Sequence, residues 1–578
     1  MKAKEDTQMN RSTVMHFAKL VVILLLFCLA LSDQPVIAQE DTQGPIEIEA
    51  SYAEAAAASV EIPVLYNSPP TLTDEQIRQL NQAEATAYLS PPLDTSTVTD
   101  IAGPFPGTES IVSDVNVDDG ALLDPGDVDV YSEAQFGDVI PDGQKSNTMS
   151  STVDGKGVRM FSTGNWFAAN SHDKGRTWKY LSPFSYFPDF CCGQVSLYDQ
   201  SRDIFLWLRT GTKDVNGENM FKLSIAVNNP FETGYWIYSY YPKNVNPAWT
   251  NQFWNAPSMQ LGADFLYITW NLFNQSDMWV NTVILRFPLD ALAIGAGFSF
   301  NYYAQADWFS FMPVSGAEHA IYFASNWDMA GAPYDSLKIW RWYEDSGTIS
   351  TWTRTVPAWT PSGRGSMHCG TPNWLGRADM RLSTGARYEI NNDGISDPRQ
   401  TGRKVLGWWW SVAEGGGFSY PYIEAAAFYE DTMTLLPGYL GRPYIHNSSF
   451  CFAYPSFTPD KRGDLGGIFN YSDTSSGKPR VSLTLADDYY QAPPGWLVYG
   501  IVSSQAGPAD NAWGDFNTVH AYQSGSTWIA STHYIPSSTN CTNCSVPLFV
   551  AFGRERDAAD FRYSCQIFGT CIPVILLP

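Results

Sequence analysis

The chain has 578 residues and a formal net charge of −24, from 59 acidic and 35 basic side chains. The excess is local: residues 40–144 hold 21 Asp and Glu against Arg78 alone, a net of −20, whereas from residue 145 onward 35 acidic face 30 basic residues, a net of −5. No basic stripe of the kind that neutralises phosphates exists, so nucleic-acid binding is set aside, and the length leaves room for a large core.

At the N-terminus, Lys2, Lys4, Arg11 and Lys19 precede the apolar run 20–31, and Val36-Ile37-Ala38 offers a small-residue cleavage site before Gln39. This is the pattern of a signal peptide over residues 1–38. The run is too short to span a bilayer, and no later stretch stays apolar long enough. A secreted, extracellular protein is expected, a monomer without a transmembrane anchor once the signal is removed. Cys28 falls inside the signal and leaves eight of the nine cysteines, which in an exported chain read as disulfides. The spacing leaves the connectivity open, with Cys541–Cys544 and Cys565–Cys571 available as local pairs. Cys191 and Cys192 pair with each other or reach Cys369 and Cys451. A zinc site on Cys541, Cys544, Cys565 and Cys571 is the alternative for the last four.

Residues 39–144 are rich in Ala, Pro, Asp and Glu and poor in aromatics, so they offer little apolar surface to offset ordering entropy. They read as an acidic linker or prosegment. One helix is predicted over 73–88, where Asp74 and Glu75 suit a helix start and Leu80, Ala83 and Ala87 fall at helical spacing. The run 114–120 imitates a calcium loop, but its Gly comes one position late and no Glu closes it, so it reads as a solvated acidic tail.

From residue 145 aromatics become dense, and short alternating runs are separated by Gly, Asp, Asn and Pro, which predicts an all-β body over 145–578. Ser171-His172-Asp173-Lys174-Gly175-Arg176-Thr177-Trp178 has the form Ser-x-Asp-x-Gly-x-Thr-Trp. Such letters build a tight turn in which the Asp carboxylate bonds backbone N–H groups, Gly takes a φ that other residues avoid, and Trp packs behind. Through this Asp box the chain resembles the sialidase-type (BNR repeat) β-propeller superfamily. The resemblance implies blades of four strands stapled by such turns away from any chemistry, and a carbohydrate-directed function. Asn229, Gly234 and Trp236 mark a decayed copy of the turn. The Arg-Ile-Pro string of that superfamily is absent, with Arg286-Phe287-Pro288 the nearest match, so the chain reads as a divergent member without a recognisable catalytic signature.

A repeat supports the same architecture. Copies begin near Asn147, Gln194, Ala256, Ala317, Ala378, Tyr454 and Asn517, most of them about 60 residues apart, which suits one four-stranded blade each. Seven blades are favoured, six being the alternative, and a double-layer sandwich the competing architecture.

In a propeller the first strand of each blade lines the central channel, and the loop leading into it opens on the face where ligands sit. Positions read in this way give Gln194, Asn255, His319, Arg377, Arg381, Tyr454 and Asn517 as ligand-binding candidates. Glu318, Asp379 and Asp515 are the candidate catalytic carboxyl groups, because a glycosidase needs two. The resemblance further implies an arginine clamp, for which Arg377 and Arg381 would be joined by Arg159 or Arg209. Trp249, Trp254, Trp327, Trp359 and Trp513, placed in loops, are candidate stacking platforms for sugar rings. No motif requires a cofactor, but Asn391, Asp393 and Asp397 suit a structural Ca2+, although an Asn-Asp-Gly turn explains the same letters. Neither a Gly-x-Ser-x-Gly elbow nor His-Glu-x-x-His occurs, which sets aside serine hydrolases and zinc proteases. The function expected is a secreted propeller that binds a ligand, foremost a glycan, at the channel mouth. The alternatives are an active glycoside hydrolase with a nonstandard carboxylate pair and an extracellular protein-interaction scaffold.

Overall fold

Short strands follow one another along the body because Val, Ile, Thr and aromatic residues alternate with polar ones and every run is cut by a Gly, Asp or Asn turn. The structure, a computed structural model, describes residues 44–86, 89–94, 98, 101–114, 126–136, 150–164, 166–390, 402–490, 492–493, 495–508, 513, 517–522, 526–536 and 545–558. All of them lie in the compact unit Gln43–Pro578.

Among the described residues seven antiparallel units succeed one another, with first strands Ser150–Val153, Phe190–Asp199, Gln252–Leu261, Met312–Ser315, Leu382–Ile390, Phe450–Pro459 and Thr518–Tyr522. Each first strand adjoins the next, and that of unit seven returns to that of unit one, so the sheets stand around a common axis. This is a β-propeller. Units four and five also touch through a short parallel pairing, Val314 with Gly385 and Ser315 with Ala386. Apolar faces of neighbouring units close on one another, as where Phe161 of unit one meets Trp207 of unit two edge-on at 5.3 Å and Trp409 of unit five meets Phe457 of unit six at 4.6 Å. Pairs of this geometry add about 0.5–1.5 kcal/mol beyond the area they bury.

The Ser171–Trp178 turn joins the third and fourth strands of unit one and makes the bonds its letters imply. Asp173 Oδ1 accepts the Thr177 N–H at 2.8 Å, its Oδ2 accepts the Thr177 hydroxyl at 2.7 Å, and Gly175 sits at φ +81°. Trp178 packs on Phe136 and, across the ring closure, on Phe549 of unit seven. At the equivalent place in unit two, Asn229 Oδ1 accepts the Glu232 N–H at 2.8 Å. The amide thus stands where unit one has a carboxylate.

Residues 39–144 depart from expectation. Their described parts form a belt around the rim. Ile46–Ile48 pairs with the last strand of unit four, Ser51–Ala55 with that of unit three and Ser59–Glu61 with that of unit two, while Tyr66 bridges Tyr180 of unit one. Farther on, Ile111–Asp114 pairs with the last strand of unit six and Val128–Gln135 becomes the outermost strand of unit seven. A sheet edge offers unpaired N–H and C=O groups, so a segment docks there through its backbone with few apolar side chains of its own. That is why composition mistook it for a linker. The predicted helix runs Asp74–Thr86. It opens with a capping box in which Thr73 and Gln76 each accept the other's N–H, and Leu80 is buried against the aromatic cluster of Phe184, Phe187 and Phe190. No described helix is long and apolar enough to cross a membrane.

Cys369 of the loop leading into unit five is bonded to Cys451 on the first strand of unit six. Cys191 is also in a disulfide, which therefore reaches neither of those two. Cys541, Cys544, Cys565 and Cys571 lie outside the described residues.

Candidate functional site

First strands enclose the axis, and several of them break register where they face it. Shifts fall between Phe190 and Gln194, Asn255 and Ser258, Leu382 and Thr384, and Ala453 and Ser456. Ala256 and Tyr454 take positive φ, +51° and +57°, inside two of these bulges. A bulge turns a side chain out of the ladder and is common beside binding sites, and here four of them line one cavity.

That cavity, about 160 Å3, is walled by residues of all seven units. Hydroxyl groups dominate the polar lining, among them Ser258, Ser310, Thr384, Ser411 and Ser456, while Phe311, Met312, Leu382 and Phe457 supply apolar strips. Charge comes from one loop, residues 356–381, which contributes Arg377, Asp379 and Arg381. The loop is anchored by the Cys369–Cys451 bond, by Trp374 Nε1 donating to Ser472 Oγ at 2.8 Å and by Asn326 Nδ2 donating to the Met380 carbonyl at 2.5 Å. Arg381 Nε lies 2.9 Å from both oxygens of Asp379, and the Arg381 N–H donates to Asp379 Oδ1 at 3.1 Å.

Five of the seven predicted ligand-binding residues line the cavity: Gln194, Arg377, Arg381, Tyr454 and Asn517. All five are engaged with the protein itself, Arg381 through its bonds to Asp379. Gln194 Oε1 accepts Trp207 Nε1 at 2.8 Å, and its amide nitrogen donates to the Phe167 carbonyl of unit one at 3.2 Å. Asn517 Nδ2 donates to the Tyr454 carbonyl and to Asn470 Oδ1, both at 2.8 Å, tying unit seven to unit six. The Tyr454 N–H donates to Ser411 Oγ at 3.0 Å. Asn255 is buried but does not line the cavity.

Glu318 and His319 are misplaced by one strand. The run Ala320–Ser325 is the second strand of unit four, its first being Met312–Ser315, so both residues sit exposed on the hairpin turn at the far end of the first strand. Repeat matching chose the more apolar of two adjacent strands. Of the carboxyl candidates Asp379 alone is placed in the cavity wall, Asp515 lying outside the described residues together with Asn391, Asp393 and Asp397. No group of three or more His, Cys, Asp or Glu among the described residues could hold a metal.

The arginine clamp does not gain its third member. Arg209 is fully buried between units, donating to the carbonyls of Pro183 and Ser185, and Arg159 pairs with Asp154 and Asp203. Trp249, Trp254, Trp327, Trp359 and Trp513 are all buried in the core rather than presented to a ligand. A tryptophan in a loop still finds a core when the loop folds over a unit.

Sequence reasoning missed His520, on the first strand of unit seven, which lines the cavity. Burial pushes its imidazole down to about 4. A histidine inside an alternating first strand, Thr-Val-His-Ala-Tyr, was the available signal.

No known family profile matches the chain, and no curated protein does. Among solved structures it is similar to an α-L-arabinofuranosidase of Fusarium graminearum, with 9% identity over 70% of this chain and 92% of that one and a TM-score of 0.34. It is similar to an apocarotenoid oxygenase of Synechocystis, with 9% identity over 62% and 74% and a TM-score of 0.32. A neuraminidase-like protein of A/flat-faced bat/Peru gives 12% identity over 63% and 96% and a TM-score of 0.30. Likenesses at this level carry no chemistry from those proteins to this one.

Proposed function

We propose that the chain is a secreted, seven-bladed propeller of the sialidase-like type that binds the terminal ring of a glycan in its central cavity without cleaving it. The observation that carries this reading is the composition of the cavity wall. Serine and threonine hydroxyls suit the hydroxyls of a sugar, the apolar strips suit the C–H faces of its ring, and Arg377 with the Asp379–Arg381 pair gives directional contacts. Size agrees: a cavity near 150 Å3 takes a benzene-sized molecule, so about 160 Å3 has room for one ring.

Binding is favoured over hydrolysis because cleavage calls for two carboxyl groups across the scissile bond. Among the described cavity-lining residues Asp379 is the one carboxylate, and Arg381 already occupies it. An array of plant, microbial and animal glycans tests the reading, run with the mature protein and with its Asp379→Asn and Asp515→Asn variants, with product analysis on every hit. Retention of glycans without release, weakened in Asp379→Asn, is the expected result. Sugar release that disappears in either variant would establish a hydrolase instead, and silence across the array would leave the protein-interaction scaffold.

A further inference from the structure

His520 lines the cavity from the first strand of unit seven. Its strand alternates, so that Val519 packs into the apolar cluster with Ile468, Val481 and Leu483 of unit six while His520 faces the other way. The Nε2 atom is buried and has no hydrogen-bond partner among the described residues. Buried polar groups are paired in native proteins, so an unpaired ring nitrogen in a residue of the cavity wall calls for a partner, which an occupant of the cavity can supply.

Resting on the glycan-binding reading, we infer that His520 is the residue that fixes the ring in the cavity, its neutral imidazole sharing a hydrogen bond with a sugar hydroxyl, and that binding is therefore lost in acid. A neutral imidazole carries one donor and one acceptor nitrogen, and a hydroxyl is both donor and acceptor, so the two are complementary in either orientation. Among the described residues the charged groups that line the cavity are Arg377, Arg381 and Asp379, and the carboxylate is bonded to Arg381. Among the described lining residues no further carboxylate stands ready to stabilise an imidazolium, and burial holds the ring's pKa down at about 4. Once protonated, the ring loses its acceptor and adds a third positive charge to the wall.

Calorimetric titration with free glucose, galactose, arabinose, N-acetylglucosamine and galacturonate tests this at pH 7 and pH 4. Wild type is compared with His520→Phe, which keeps a ring but no nitrogen, and with His520→Gln, which keeps a donor and an acceptor. For a sugar that binds wild type, His520→Phe should weaken binding about tenfold, the loss of one hydrogen bond, and His520→Gln should remain within about threefold. Wild-type affinity should fall at pH 4 by more than that of His520→Gln, and the sugar should shift the His520 ring signals in NMR spectra. A sugar that binds wild type and His520→Phe equally, or leaves those signals unmoved, overturns the role of His520 while the binding reading stands. If folded wild type takes none of the sugars, the binding reading fails and the inference fails with it. Melting temperatures verify that each variant is folded; if His520→Phe is not, the His520→Gln pH profile and the NMR signals decide.

Discussion

Two buried arginine–carboxylate pairs, one at the rim and one at the hub, put the same chemistry in two different surroundings. At the rim Arg442 and Glu424 are 2% and 1% exposed. Arg442 Nε donates to Glu424 Oε1 at 2.9 Å, its two terminal nitrogens donate to the belt carbonyls of Gly103 and Ala102 at 2.8 and 2.9 Å, and the Tyr422 hydroxyl donates to Glu424 Oε2 at 2.9 Å. Burial, and then the Glu424 carboxylate, pushes the Tyr422 hydroxyl well above its ordinary range. Each group named here is consumed in holding the belt to unit five. At the hub, Arg381 and Asp379 are bonded to each other in the wall of a cavity. An ion pair roofed by its own chain stabilises the fold, and one beside a cavity remains within reach of a ligand.

The largest effect that would break this contrast is expected at the rim. Arg442→Ala should remove about 3–5 kcal/mol, because Glu424 is left charged and buried. A thermal or urea melt measures it, with glycan binding retained by the folded fraction. An unchanged midpoint would mean the belt is held by edge pairing alone. At the hub Asp379→Asn should cost less, roughly 1–2 kcal/mol, because water in the cavity can solvate Arg381. It should nonetheless weaken glycan retention more than Arg442→Ala does, and the reverse order would erase the distinction between the pairs.

A further effect concerns pH at the turn between the first two strands of unit six. Burial, followed by the charges of Asp460, Asp487 and Asp488 and opposed by Arg462, pushes Asp464 from its ordinary 3.8 up to about 7. An acid whose folded pKa is raised holds its proton longer in the folded than in the unfolded state. Its contribution to stability is therefore present at low pH and declines as pH rises from about 4 to about 7. Asp464→Asn should flatten that part of a melting-temperature profile between pH 4 and 8; an unaltered slope would assign it to other groups.

Legibility followed the range of the interaction. The Ser171–Trp178 turn was readable because its hydrogen bonds close within a few residues. The helix was readable from its first turn, and the strands from alternation. Glu318 and His319 went astray because two adjacent strands of unit four have similar patterns, and only ring neighbours reveal which one faces the axis. Trp254 and Trp327 fall on strands, and they, Trp249, Trp359, Trp513 and Arg209 are all buried, because burial depends on what folds over a residue. His520 escaped notice because its missing partner is a property of the assembled wall.

By itself the amino-acid order determined an all-β body, its turns, its repeat and its capped helix, since alternation, capping and Asx chemistry act over a few residues. The tertiary structure decided that the acidic segment is a belt of edge strands, because backbone edges accept almost any side chain. It also decided which polar groups meet at the axis. Closing the ring brings together residues separated by more than a hundred positions, and that closure puts His520 into the wall of the same cavity as Arg377, Asp379 and Arg381.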